Sequence, residues 1–295
     1  MSTTVSWNDQ RVFLAVIEEG SLTGAARRLG LSHPTVRARI AALEAALGTT
    51  LFTRSVNGLT PTDHAADLHA AARSMAAASD LFIRQAAAPS GEAAGIVRIS
   101  VSEFNGVEVI PPVIARLRTS HPRIRIELVL SNLSADLLAG EVDIAIRNTQ
   151  PVQTALIARK VPPIALGLYA SQAYLRRRGL PLCLNDLAAH DLIGPDKSLS
   201  DIAVAEQVWP GFDPAHFVLR TDSHPAVAAA VRAGVGIGVL QVPVAKSDST
   251  LERVIPGLNA GALNTWIVTH EDLRNLPRVR AVFDALVAAF TASDQ

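Results

Sequence analysis

Pro34, Ala38, Ala41 and Ala45 line one side of the segment from Ser32 to Leu47, with Thr35 and Arg37 at the edges of that side. On a helical wheel of about 100° per residue, Val36, Ile40, Leu43 and Leu47 cluster within about 40° of Val36 on the opposite side. One chemistry these two faces would suit is the reading of a DNA duplex. Small side chains let a helix approach base edges, and a few polar ones reach bases or phosphates. Arg37 is the candidate for bidentate readout of guanine. Ser32, His33, Pro34 and Thr35 stand at the N-terminal end, the end a recognition helix points at the bases. Ser32–Arg37 and Arg39 would set register or base choice, and Thr23, Arg28 and Arg54 would touch phosphates. Residues 1–60 carry six Arg against four acidic residues, a net charge of +2. Ala-rich faces with scattered arginines also occur on solvated helices, so periodicity alone leaves both readings open.

The elements that must hold these residues are legible around them. Phe13, Val16 and Ile17 recur at helical spacing and Gly20 stops that helix. Ser21 caps a second helix with Leu22, Ala25, Ala26 and Leu29 on one face. Only Gly30-Leu31 separates it from Ser32, the cap of the third helix, whose buried stripe is Val36, Ile40, Leu43 and Leu47. Pro34 is tolerated because it lies in the first turn. Two short helices joined by a tight Gly-containing turn make a helix-turn-helix. Leu51–Arg54 and Gly58–Thr60 predict a hairpin, or wing. Thr60 as cap, Pro61 at the first helical position and Asp63 as return partner open a fourth helix. Its span, 61–88, holds eleven alanines and no glycine. Pro89-Ser90-Gly91 ends it and marks a domain boundary.

After residue 91 strands and helices alternate. Strands are expected at Ile96–Val101, Ile124–Leu130 and Val142–Ile146, with helices at Val109–Leu117 and Leu133–Leu138 between them, a βαβαβ pattern with parallel strands. Pro162-Pro163 opens a second α/β block: a strand at Ile164–Tyr169, a helix at Ser171–Arg178, a strand at Phe217–Arg220, a helix at Ala226–Ala233 and a strand at Ile237–Leu240. Thr265–Thr269 reads as strand and Val279–Phe290 as helix. Two α/β subdomains joined by two crossings bind ligands in the cleft between them. Candidate contacts follow the strand ends: Ser102, Phe104 and Asn105 after the first strand, Arg147, Asn148 and Thr149 after the third, and Thr221, Asp222, Ser223 and His224 after the Phe217–Arg220 strand and before the helix at Pro225. Ser102 and Ser223 flank helix N-termini, where backbone N–H groups favour an anion such as a carboxylate. Each has a plainer role open to it: Ser after a strand often only caps, and Arg147 has the chemistry of a structural ion pair.

Composition bounds the rest. The 295 residues hold 27 Lys plus Arg and 27 Asp plus Glu, so the net charge is zero, and mean hydropathy is +0.26. That excludes a polycation or an acidic tail and gives ample core. No apolar run reaches the ~18 residues of a membrane span, and Met1–Val5 shows no signal sequence, so a cytoplasmic protein is expected. One cysteine excludes an internal disulfide. Cys183, beside Leu182 and Leu184, reads as a buried small residue. Enzyme signatures fail: Gly234-Val235-Gly236-Ile237-Gly238 follows a helix instead of a strand. His64 and His69 diverge by about 140° on a helix and share no metal. Asp222-Ser223-His224 are sequence neighbours, which is not triad geometry. No cofactor and no metal are expected.

The runs Phe13–Val16, Gly20–Leu29, Leu31–Ile40, Leu43-Glu44, Leu47-Gly48, Leu51–Arg54 and Leu59–Thr62 resemble the winged helix-turn-helix of LysR-type transcriptional regulators. The remainder resembles the same family's effector domain. The resemblance implies a winged helix-turn-helix over 1–60, a linker and dimerisation helix over 61–90, and a periplasmic-binding-protein-like effector domain over 91–295. In that domain, subdomain I would comprise 91–162 with 265–295, and subdomain II 163–264, closing by hinge motion. It implies double-stranded DNA as partner, read at an interrupted inverted repeat by a homodimer paired through the 61–88 helix. A homotetramer, contact with RNA polymerase and a small-molecule effector belong to the same expectation. Ser102 and Thr149 match positions that bind effectors in relatives. The chain departs from the family at His33, often Gln, at Arg37, often Ser, and at Asn57, often basic. Phe104 stands where a polar residue is common and Asp222 adds negative charge; both argue against a simple small anion. The rivals are a solute-binding protein and a small α/β enzyme without a DNA role.

Overall fold

The computed structural model describes residues 5–55, 58–86, 91–132, 141–151, 155–211 and 213–292. The chain divides into two compact units, Met1–Ala87 with Leu138–Glu141, and Ala88–Leu137 with Val142–Gln295. In the first, α1 (Trp7–Glu19), α2 (Leu22–Leu29) and α3 (His33–Leu47) are followed by the antiparallel strands β1 (Phe52–Ser55) and β2 (Gly58–Pro61) and the long α4 (Asp63–Ala86). Serine caps start the two short helices: the Ser21 hydroxyl accepts from the Gly24 N–H at 3.0 Å and the Ser32 hydroxyl from the Thr35 N–H at 3.2 Å. Gly20, Gly30 and Gly48 end α1–α3 in the left-handed region, which suits a residue without Cβ. Val12, Phe13, Val16, Ala25, Val36, Ile40, Leu43, Leu51, Phe52 and Ala65 form one core.

Two local expectations fail here. Leu47 is 42% exposed and not part of the buried stripe. It sits in the last turn of α3, where the chain already leaves the core. The fourth helix starts later than the proline suggests. Thr60 and Pro61 belong to β2, and Thr62 is the cap, its hydroxyl accepting from the Ala65 N–H at 3.3 Å. Pro61 is at the strand's end, where its missing N–H costs nothing.

The second unit is a mixed α/β body. It runs β3 (Gly95–Val101), α5 (Glu103–Glu108), α6 (Ile110–Ser120), β4 (Ile124–Leu130), β5 (Ile144–Arg147) and β6 (Leu156–Ser171). Then come α7 (Gln172–Arg178), β7 (Leu192–Gly194), α8 (Leu199–Val208), β8 (Phe217–Arg220), α9 (His224–Arg232), β9 (Gly238–Gln241), α10 (Val242–Lys246) and β10 (Leu251–Val254). β11 (Ala262–His270), α11 (Glu271–Arg274) and α12 (Pro277–Ala292) close it. β3 pairs parallel with β4 and β5, as the βαβ pattern requires. The helix expected at Leu133–Leu138 lies outside the described residues.

Pro162-Pro163 does not break the chain's extended course. β6 runs straight through it for 16 residues and pairs with β11 along both halves. The register shifts where Val161 faces Thr265 and Ile164 faces Leu263, so two prolines stand opposite Asn264. A bulge is where a strand tolerates residues that cannot donate. The result is one seven-stranded sheet in the order β10-β6-β11-β5-β3-β4, with β9 also on β6. The Gly234–Gly238 run is the turn between α9 and β9. Gly234 has φ +76°, and a Cβ on Gly236 would strike the Asp191 carbonyl oxygen. These glycines serve the backbone, not a nucleotide. Cys183 is exposed, contrary to expectation. Leu182 beside it is exposed too, because this segment loops over the surface.

Candidate functional site

The outward face of α3 takes the form its periodicity requires. Val36, Ile40 and Leu43 are buried, while His33, Pro34, Arg37, Ala38, Ala41 and Ala45 are exposed. Small exposed residues with one long cation at the helix's start make a surface that fits a groove. Ser32 and Thr35 are committed locally, since their hydroxyls lie 2.7 Å apart and Ser32 caps the helix. Arg39 is held by Asp9 at 3.0 Å, and Arg28 by Glu18 at 2.6 Å with Glu19 at 3.7 Å. Neither is a free cation. Among the described residues, Arg37 has no ion-pair partner. Thr23 is exposed on α2. The side chain of Arg54 and the residue Asn57 lie outside what is described.

The second unit contains a cavity of about 550 Å³. Ser102, Phe104, Arg147 and Thr149 line it. Ser102 precedes α5, and its hydroxyl makes no cap bond. Arg147 ends β5, where its guanidinium donates to the Ile146 carbonyl at 2.9 Å, the Ser100 carbonyl at 3.3 Å and the Ser100 hydroxyl at 2.7 Å. All three acceptors are neutral, and among the described residues no carboxylate pairs with it. Burial pulls this guanidinium below the usual arginine range. A positive charge held by neutral acceptors at a cavity wall leaves its field available to an anion.

Asn105, Asp222 and Ser223 do not line the cavity. Asn105 is buried and accepts from the Gln241 amide at 3.0 Å. Asp222 accepts from the backbone N–H groups of Asp196, Lys197 and Ser198 at about 3 Å. Those bonds, Ser198 first, hold its carboxyl below the usual range. Its charge is therefore spent on shaping the approach to α8. Ser223 stands at the start of α9 without a side-chain cap bond.

Sequence reasoning named Thr221 and His224 after β8, and both line the cavity, but it missed the carboxylate that pairs with His224 and a second group. His224 lies 3.2 Å from Asp201. That hydrogen bond raises the imidazole and lowers the carboxyl. The other group is α8 itself. Ser200, Asp201, Val204, Ala205 and Val208, spaced three and four apart, all face the cavity. Only the Ser198–Asp201 cap pair signalled this helix in sequence: the Asp201 N–H donates to the Ser198 hydroxyl at 3.4 Å.

The two lobes of this unit are joined beside the cavity. Phe104 on α5 is buried among Tyr169, Ile193, Val227, Val231 and Leu240. Arg232 on α9 grips both carboxylate oxygens of Glu108 at 2.7 and 2.8 Å and also holds Asp248 at 2.9 Å. Glu108 is the main cause of a raised Arg232 basicity.

Comparison with known proteins places both units. The profile described as "Bacterial regulatory helix-turn-helix protein, lysR family" matches residues 7–66, and "LysR substrate binding domain" matches residues 90–291. Among curated relatives, an HTH-type transcriptional regulator of Xanthomonas campestris is 27% identical, covering 95% of this chain and 84% of its own. The probable HTH-type transcriptional regulator LtrA of Klebsiella pneumoniae is 24% identical, covering 94% and 93%. Among solved structures, the LysR family regulator CbnR aligns with a TM-score of 0.69 at 18% identity, covering 97% of this chain and 99% of that one. The Vibrio cholerae virulence activator AphB aligns with a TM-score of 0.59 at 21% identity, covering 96% and 99%. These structural likenesses concern the fold. The relatives are transcriptional regulators and not enzymes.

Proposed function

We propose, from the premise that this chain belongs to the LysR family of DNA-binding transcriptional regulators, that a small molecule held in the cavity modulates its binding to DNA or its transcriptional output. The observation that carries the DNA half is the division of α3 into a buried aliphatic stripe and an exposed small-residue face beside Arg37. In this reading α3 enters the major groove, Arg37 reads a base, and His33, Pro34 and Thr35 sit nearest the bases. Thr23, and Arg54 in the wing, approach phosphates. Arg28 and Arg39 act first by fixing the domain's shape, because each is already paired within it. Two copies joined through α4 would present two such helices to an interrupted inverted repeat. A tetramer and a contact with RNA polymerase extend the same reading, which places the protein in the cytoplasm with the chromosome.

The effector half rests on Ser102, Arg147 and Thr149 at the cavity wall, with no carboxylate paired to Arg147 among the described residues. The effector must bind two arrangements of the subunits with different affinity, since only a difference shifts an equilibrium. Genomic footprinting with the purified protein would yield the operator. On that operator, Arg37→Ala is expected to cost about 1–3 kcal/mol, and on random DNA much less. An equal loss on both would assign Arg37 to phosphate.

A further inference from the structure

The cavity has two unlike ends. At one, Ser102, Arg147, Asn148 and Thr149 meet His224 and Asp201. The other reaches into the body of the lobe built from β6–β10. Its walls there are Leu168, Leu192, Val208, Trp209, Phe217 and Ile237. Leu168, Leu192, Val208 and Ile237 are buried core residues of that lobe, with Trp209 and Phe217 packed against them. Helix α8 spans the two ends: Ser200 and Asp201 lie at its polar end, Val208 and Trp209 at its apolar end. A ligand small and polar throughout would leave the hydrocarbon end empty. One apolar throughout would leave Arg147 desolvated without an anion.

We propose that this cavity receives an amphipathic monocarboxylate, whose charged end meets Arg147 and whose hydrocarbon body lies under α8 against Val204 and Val208. The inference rests on the effector reading above and specifies its chemistry. A volume of about 550 Å³ suits a ligand of drug-like size more than a two- or three-carbon acid. Specificity divides between the ends: the guanidinium selects charge, and the chamber selects length and bulk. His224, 3.2 Å from Asp201, adds an imidazole to the polar lining.

The test uses the full chain and a graded set of probes: butyrate, hexanoate, decanoate, 2-naphthoate and the neutral decanol. Binding is measured by calorimetry and by thermal shift. Each buried methylene tightens binding by up to about fourfold, so decanoate is expected to bind at least tenfold more tightly than hexanoate. Arg147→Met is expected to weaken decanoate at least tenfold and to leave decanol unchanged. Val204→Trp fills the apolar end and weakens decanoate far more than butyrate; Val204→Leu does so less and guards against a folding defect in the larger variant. The ring and chain probes distinguish an aromatic from an acyl body. Affinity independent of chain length, or decanol equal to decanoate, overturns the proposal. So does failure of every probe to bind; the effector reading then still stands if operator binding responds to another metabolite, and falls if it responds to none.

Discussion

At the scale of single residues, charge placement separates roles that composition blurs. Arg28, Arg37 and Arg39 look alike in sequence, yet two of them are spent within the domain and one is not. The exposed face of α3 was legible because helical periodicity is local. The partners of Arg28 and Arg39 were not, because they lie 10 and 30 residues away and no spacing rule reaches that far. The His224–Asp201 pair was invisible for the same reason, and it makes a prediction about pH. Asp201 raises His224, so the stabilisation is complete below the ordinary imidazole range and is lost as pH rises through the raised value. His224 in turn lowers Asp201, whose share is present above the ordinary carboxylate range and lost as pH falls through the lowered value. The pair therefore contributes most between about pH 4 and 6.5. Both side chains are partly exposed, so the effect is small. In melting experiments from pH 5 to 9, His224→Gln is expected to flatten the fall in Tm that the native chain shows above neutrality.

Among the elements, α4 and α8 teach opposite lessons. The long helix announced itself by alanine content and the absence of glycine. It leaves Phe82 72% and Ile83 61% exposed in the isolated chain, apolar surface that a monomer rarely keeps. Phe82→Glu with Ile83→Glu is expected to shift the protein to monomer in sedimentation experiments and to weaken operator binding. A retained dimer would move the interface elsewhere. α8 escaped notice because Leu199 and Ala203 on its outer side blur the amphipathic pattern. One face of it lines a cavity, so its apolar residues are not all packed against protein. Its approach is tied down by Asp222, which accepts three successive backbone N–H groups. Asp222→Ala is expected to speed amide exchange over residues 196–205 while exchange in β3 stays slow. Uniform acceleration would refute this local role.

Across the second unit as a whole, alternation of strands and helices made the fold class readable. The continuity of β6 through Pro162-Pro163 was not, because two prolines read as a break wherever no bulge is known to receive them. The joins between lobes come from residues far apart in sequence: Glu108 with Arg232, Asn105 with Gln241, and Phe104 within the other lobe's core. Arg232 and Glu108 are largely shielded, so Glu108→Ala is expected to cost about 1–3 kcal/mol in denaturant unfolding. An unchanged midpoint would mean the bidentate pair contributes nothing net. The same joins bear on how a message leaves the cavity. Free opening of the two lobes, as in a solute-binding jaw, would have to tear a phenyl ring from its socket and break a twin-pronged ion pair. A chassis braced in this way would keep each protomer's outline if a guest arrived, and the guest's influence would have to pass through the walls that touch it, α8 among them. Scattering profiles with and without a guest should then differ by the arrangement of subunits and not by opening of the two lobes within a protomer.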